Sequence, residues 1–188
     1  MGNVFCPHVC SNSGFILLIR GKDFAIISDR IFDENPSLEK ELCVKEIRRL
    51  LGIKKVIIIP QFPDEMTGHA DGVVRLKDDK TVIICAFHPG DSAYKNELKM
   101  ILMQSNLDVM ELPISETFYD TNNWEAYINY LEVGDLILVP QLGCIDDLKV
   151  LEFFQNIFED KCIEAVDVRP IVKDGGALNC ISWNVKKK

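Results

Sequence analysis

The 188-residue sequence has no apolar run near the 18 residues a membrane span requires; its longest, such as residues 56–59 and 136–139, have the length of buried strands. Positive charge is also short. Twenty-one Lys and Arg stand against 29 Asp and Glu, giving a net charge of −8 and a pI near 4.9, so no basic stripe exists to grip a phosphate backbone. Nucleic acid and membrane are therefore excluded as partners. There is no P-loop, no dinucleotide fingerprint and no Gly-x-Ser-x-Gly elbow. The N-terminus has no basic segment leading into a long apolar core, and the expected location is the cytoplasm. Seven cysteines, odd in number and scattered, fit reduced thiols in that compartment. Cys6, His8 and Cys10 lack C-x2-C spacing and a fourth ligand, so no metal is expected.

What is present is a soluble composition, 47% hydrophobic and 27% charged, of a size that forms one domain. The chain is built as a repeat. From Phe15, FILLIRGKDFAII reads as a hairpin around Gly-Lys-Asp; Asn35 and Pro36 read as a helix cap and first helical position; a helical stretch runs to Gly52; and KVIIIP is a strand closed by Pro60. The same order recurs from Gly72: a hairpin turning at residues 77–80, a helix over 92–104, and DVMELP closed by Pro113. It recurs again from Ala126, with a hairpin turning at Gly134, a helix over 146–158, and IEAVDVRP closed by Pro170. The closing prolines are 53 and 57 residues apart, a regular period. The sequence predicts three ββαβ modules, 14–60, 68–113 and 126–170, followed by a terminal strand over 177–185. A ββαβ unit cannot bury both sheet faces alone, so such units must pack together.

Chemistry concentrates where one module passes to the next. In Gly68-His69-Ala70-Asp71-Gly72 a histidine and a carboxylate lie two residues apart at an expected strand start, which would turn both to one face. Such a pair suits acid/base work near neutral pH. In Gly175-Gly176-Ala177-Leu178-Asn179-Cys180 a paired glycine delivers a cysteine, which becomes a nucleophile when a positive neighbour such as His69 lowers its pKa. Taken singly, each motif also has a plain reading, as a surface His beside an Asp and as a structural cysteine. His88 and Cys144 read as incidental, Trp124 and Trp183 as packing residues, and Asp146 and Asp147 as N-capping residues.

Together, TGHADGVVRL, AYINYL, DLILVPQLG with Asp-Asp at a helix start, and DGGALNCIS resemble the agmatine deiminase and bacterial peptidylarginine deiminase family. The resemblance runs from about Gly14 to Cys180. It implies an α/β pentein fold, of which this chain supplies about three modules and a strand from a five-module propeller. It implies a hydrolase of guanidino groups: Cys180 attacks the guanidinium carbon, His69 handles protons, Asp71 holds the guanidinium nitrogens, and Asn129, Gly175 and Gly176 line the substrate. No cofactor and no metal are implied. The expected partner is a small guanidino compound or an arginine side chain, with a homo-oligomer as the assembly.

Three departures stand beside the matches. Ser13 replaces the family's glutamate, an N-terminal Arg-Asp motif is missing, and Asn179 stands where a histidine is common. The readings that follow are a deiminase, a non-catalytic module of the same fold, and an amidinotransferase or dihydrolase.

Overall fold

The computed structural model describes residues 19–63, 68–114, 124–173 and 176–182. Cys6, His8, Cys10, Ser13, Gly175, Trp183 and the far part of the expected terminal strand lie outside these residues, as does the start of the first hairpin. The chain divides into two compact units, residues 1–82 with 96–109, and residues 83–95 with 110–188.

In the first unit, β1 (Ile19–Arg20) turns through Gly21 and runs antiparallel to β2 (Phe24–Ser28), which lies parallel to β3 (Lys55–Ile59). Side chains alternate across the sheet. Ala25 and Ile27, with Val56 and Ile58 opposite them, face Ile31, Cys43 and Ile47 in one apolar core. The last two belong to α2 (Lys40–Leu51), which ends at Gly52 in the left-handed conformation (φ +64°) that glycine accepts most readily.

One boundary differs from the sequence expectation. Asn35 does not open the long helix; it closes a short one, α1 (Arg30–Glu34), by donating its side-chain amide to the carbonyl of Ile31 at 2.8 Å. Pro36 follows that stop, and α2 begins only at Lys40. An Asn-Pro pair fits a helix end as well as a helix start, and the buried amide decides between them here.

The middle module has β4 (Val74–Leu76), β5 (Thr81–Ile84), α3 (Ser92–Gln104) and β6 (Asp108–Glu111), with sheet order β4-β5-β6. The hairpin tip is closed by Asp78, whose Oδ1 accepts the backbone N–H of Lys80 and Thr81 at 2.8 and 2.9 Å.

In the second unit, β7 (Leu131–Val133) pairs antiparallel with β8 (Leu136–Gln141), and β8 runs parallel to β9 (Cys162–Asp167). The register repeats that of the first module: Ile19 opposite Ile26 corresponds to Leu131 opposite Leu138, and the parallel ladder opens at Phe24 and Lys55 or at Leu136 and Cys162. The helix α4 (Asp146–Ile157) lies against β8 and β9, and its Phe154 ring meets Tyr130 edge-on at 4.8 Å. Leu131, Leu138 and Val166 pack instead with Ala126, Val168, Ala177 and Leu178. The sheet face carrying Leu138 is therefore the face on which the C-terminal loop is seated.

Two expected strands do not begin where the sequence places them. Residues 124–129 form a 3-10 helix ahead of β7, and residues 178–181 form a turn where the terminal strand was expected to begin. Pro170 closes β9 from within a short helix, α5 (Arg169–Val172), at a position where its missing N–H costs nothing.

Candidate active site

The second unit carries the cysteine motif. Ala177 and Leu178 are buried and anchor the loop, while Cys180 is exposed at its end. The backbone bends back through Ile181 N–H to Ala177 O and Ser182 N–H to Asn179 O, and the Ser182 hydroxyl donates to the same Asn179 carbonyl. Gly176 opens the turn at φ +72°, and a Cβ there would lie 2.8 Å from the Cys180 Cβ and 3.0 Å from its sulfur. Only glycine meets both demands.

Asn129, at the end of the 3-10 helix Trp124–Asn129, holds this loop from beneath. Its Oδ1 accepts the backbone N–H groups of Ala177 (3.1 Å) and Cys180 (3.0 Å), its Nδ2 stands 2.9 Å from Cys180 Sγ, and its carbonyl accepts Asn179 N–H at 3.1 Å. Asn129, Gly176 and Cys180 are thus brought together although Asn129 lies 51 residues from the cysteine.

The same 3-10 helix is braced two residues earlier. The buried Tyr127 hydroxyl donates to Asp147 Oδ1 at 2.5 Å and lies 3.1 Å from Cys144 Sγ. Asp147 in turn accepts the N–H groups of Leu142, Gly143 and Cys144 at 2.9, 2.8 and 3.2 Å. This corrects the capping assignment: the residue preceding α4 is Ile145, no side chain caps the helix, and Asp147 fastens the loop before it. Asp146, also buried, pairs with Lys149 at 3.1 Å. Burial, reinforced by the Asp147 hydrogen bond, pushes the Tyr127 hydroxyl well above the ordinary phenol range. Arg169 lies over Gly143 (φ +75°) and grips Asp167 through two hydrogen bonds of 2.9 and 2.7 Å, which hold that exposed carboxylate at about 2. His88 Nδ1 accepts Gly90 N–H and caps a single 3-10 turn.

The His69 motif belongs to the first unit. Gly68 takes φ +63°, and a Cβ there would meet the Arg30 side chain at 2.8 Å and Gln61 Oε1 at 3.0 Å. Gln61 is fixed by its N–H to Asp29 Oδ1 at 2.8 Å. His69 is extended and half-buried, and Asp71 is 5% exposed. They do not share a strand face. Ala70–Gly72 is a 3-10 turn with Gly72 N–H on His69 O, and β4 begins only at Val74. Alternation therefore does not govern the pair, which stands instead on one tight turn against β2 and β4. Among the described residues, no cluster of three His, Cys, Asp or Glu side chains could hold a metal ion.

The module order and these motifs meet a known family. The model of the Porphyromonas-type peptidyl-arginine deiminases matches residues 19–185. The chain belongs to that family. Among curated relatives of this deiminase-family chain, a provisionally named agmatine deiminase of Vibrio parahaemolyticus is 23% identical over 80% of the chain and 50% of the relative. One of Enterococcus faecalis is 26% identical over 82% and 50%. The solved agmatine deiminase of C. jejuni superposes with a TM-score of 0.75 at 22% identity, covering 89% of this chain and 54% of that one. These likenesses establish the pentein-type fold of ββαβ modules. The chain spans about half the length of the curated relatives it matches.

Proposed function

We propose that this chain supplies the nucleophile, the acid/base histidine and one guanidinium-binding carboxylate of a deiminase acting on a guanidino compound. The observation that carries the reading is the exposed Cys180 thiol, held on a glycine-opened loop by Asn129, in a chain of the deiminase family. In the first step the Cys180 thiolate bonds to the guanidinium carbon, His69 gives a proton to one amino group, the C–N bond breaks and ammonia leaves. His69 then takes a proton from water, the resulting hydroxide attacks the same carbon, and as the C–S bond breaks and the new hydroxyl gives its proton to solvent, a neutral ureido product is released and the thiolate restored. Asp71 holds the planar cation through paired hydrogen bonds. Gly175 and Gly176 keep the loop free of side chains that would obstruct the substrate. Agmatine, arginine and a peptidyl arginine are the candidates. None of the described cysteines forms a disulfide, in keeping with a reducing compartment such as the cytoplasm.

A second reading has its own support. The chain covers half of its relatives' length and has Ser13 at the family's glutamate position, so a non-catalytic module of the same fold is the alternative. We propose a homo-oligomer as the form in which missing carboxylates are supplied. The test incubates the purified chain with agmatine, arginine and an arginine-containing peptide, and measures ammonia and ureido product against Cys180→Ala. Product from one substrate, abolished in the variant, is the expected result. No product from any of the three would leave the non-catalytic reading.

A further inference from the structure

The Asn129 side chain has one orientation consistent with its neighbours. Two backbone N–H groups, of Ala177 and Cys180, point at the same terminal atom, and since an N–H can only donate, that atom must be the oxygen. The amide nitrogen is then the atom 2.9 Å from Cys180 Sγ, and as it too can only donate, the sulfur must accept. A thiol is a weak acceptor, whereas a thiolate is a strong one, because a hydrogen bond to an ionised partner is about twice as strong as one between neutral groups. Burial adds to the preference. Asn129 is 4% exposed, so water does not compete for its amide.

The donor is also well fixed. Ile128 and Tyr130, on either side of Asn129, are fully buried, and Tyr127 in the same 3-10 helix is tied to Asp147. Such a residue has almost no surface left with which to line a substrate, the role its sequence position suggested.

We infer that Asn129 is a positioning residue that presents Cys180 as a thiolate, not a part of the substrate wall. This rests on Cys180 being the nucleophile, but its test needs no turnover. Two variants are read together, Asn129→Asp and Asn129→Ala. Asn129→Asp keeps an oxygen for Ala177 and Cys180 N–H but adds a charge that itself opposes the thiolate, so Asn129→Ala, which removes the donor and adds no charge, is read beside it.

The experiment follows alkylation of Cys180 by iodoacetamide across pH in the full-length chain, reading the Cys180 peptide by mass spectrometry. In the wild type, the midpoint of the rate profile is expected below the value of about 8.5 for an unperturbed thiol. In Asn129→Asp it is expected to rise by about one unit or more, with Cys180 alkylation at pH 7 falling about tenfold. In Asn129→Ala, read the same way, the midpoint is expected to rise as well. A wild-type midpoint at or above that of a synthetic 174–182 peptide would overturn the inference. So would a lowered wild-type midpoint that Asn129→Ala does not move, because a rise in Asn129→Asp alone follows from its added charge. Absence of deiminase turnover alone would bear on the proposed reaction and leave this inference standing.

Discussion

Gly176 and Gly134 both take positive φ, at +72° and +60°, but their surroundings differ in a way that isolates the role of the first. A Cβ on Gly134 would meet nothing within 4 Å, whereas one on Gly176 would meet Cys180. Gly134→Ala should therefore cost only the left-handed strain, about 1–2 kcal/mol, and leave Cys180 alkylation unchanged. Gly176→Ala should cost that and more, and slow Cys180 alkylation severalfold, because the cysteine must shift by a few tenths of an ångström. Denaturant midpoints and Cys180-specific mass spectrometry check both outcomes. The cysteine and its paired glycine were legible in sequence because the features that matter are adjacent. The hydrogen bonds of Asn129 are not legible, since they reach a loop 51 residues away and no local pattern signals them. The His69 and Asp71 motif is legible for the same local reason as the cysteine, but its geometry is not, because Gly72 N–H turns back to His69 O and strand alternation does not hold within a turn.

At the scale of elements, the 3-10 helix 124–129 and the loop 142–144 are joined through Tyr127 and Asp147. Tyr127→Phe leaves the buried Asp147 carboxylate without one of its donors, and a loss of about 1–3 kcal/mol in unfolding free energy is expected by urea titration. The pH dependence has a definite sign. Because the folded-state pKa of Tyr127 is raised, its contribution is fully present below the unfolded value near 10 and is lost as pH climbs above that toward the folded value. Stability measured from pH 8 to 11 should fall above pH 10, and more gently in Tyr127→Phe; equal slopes would contradict this. The sequence marked Asp146 and Asp147 as caps because carboxylates at a helix start usually are. Here three loop N–H groups outcompete the helix for Asp147. Hairpins and the helix 92–104 were readable from apolar alternation and helical spacing, which depend on near neighbours alone.

For the molecule as a whole, the regular spacing of Pro60, Pro113 and Pro170 makes the repeat legible, because repetition averages out the ambiguity of any one element. The matching registers of the first and third sheets are its structural counterpart. Since the chain spans half the length of its curated relatives, the proposed oligomer has a direct consequence: light scattering should give at least twice the 21.4 kDa chain mass. A monomer that turns over a guanidino substrate would contradict it. The central claim, that Cys180 is a nucleophile built to meet a planar cation, is tested most directly by 2-chloroacetamidine, a cationic reagent whose chloride is displaced by a thiolate. At pH 7, Cys180 should be labelled to near stoichiometry while Cys43, Cys85, Cys144 and Cys162 are largely spared, and faster than by neutral chloroacetamide, with the advantage lost in Asp71→Asn. Labelling of Cys180 no faster than that of the exposed Cys162, or no preference for the cation, would contradict the account.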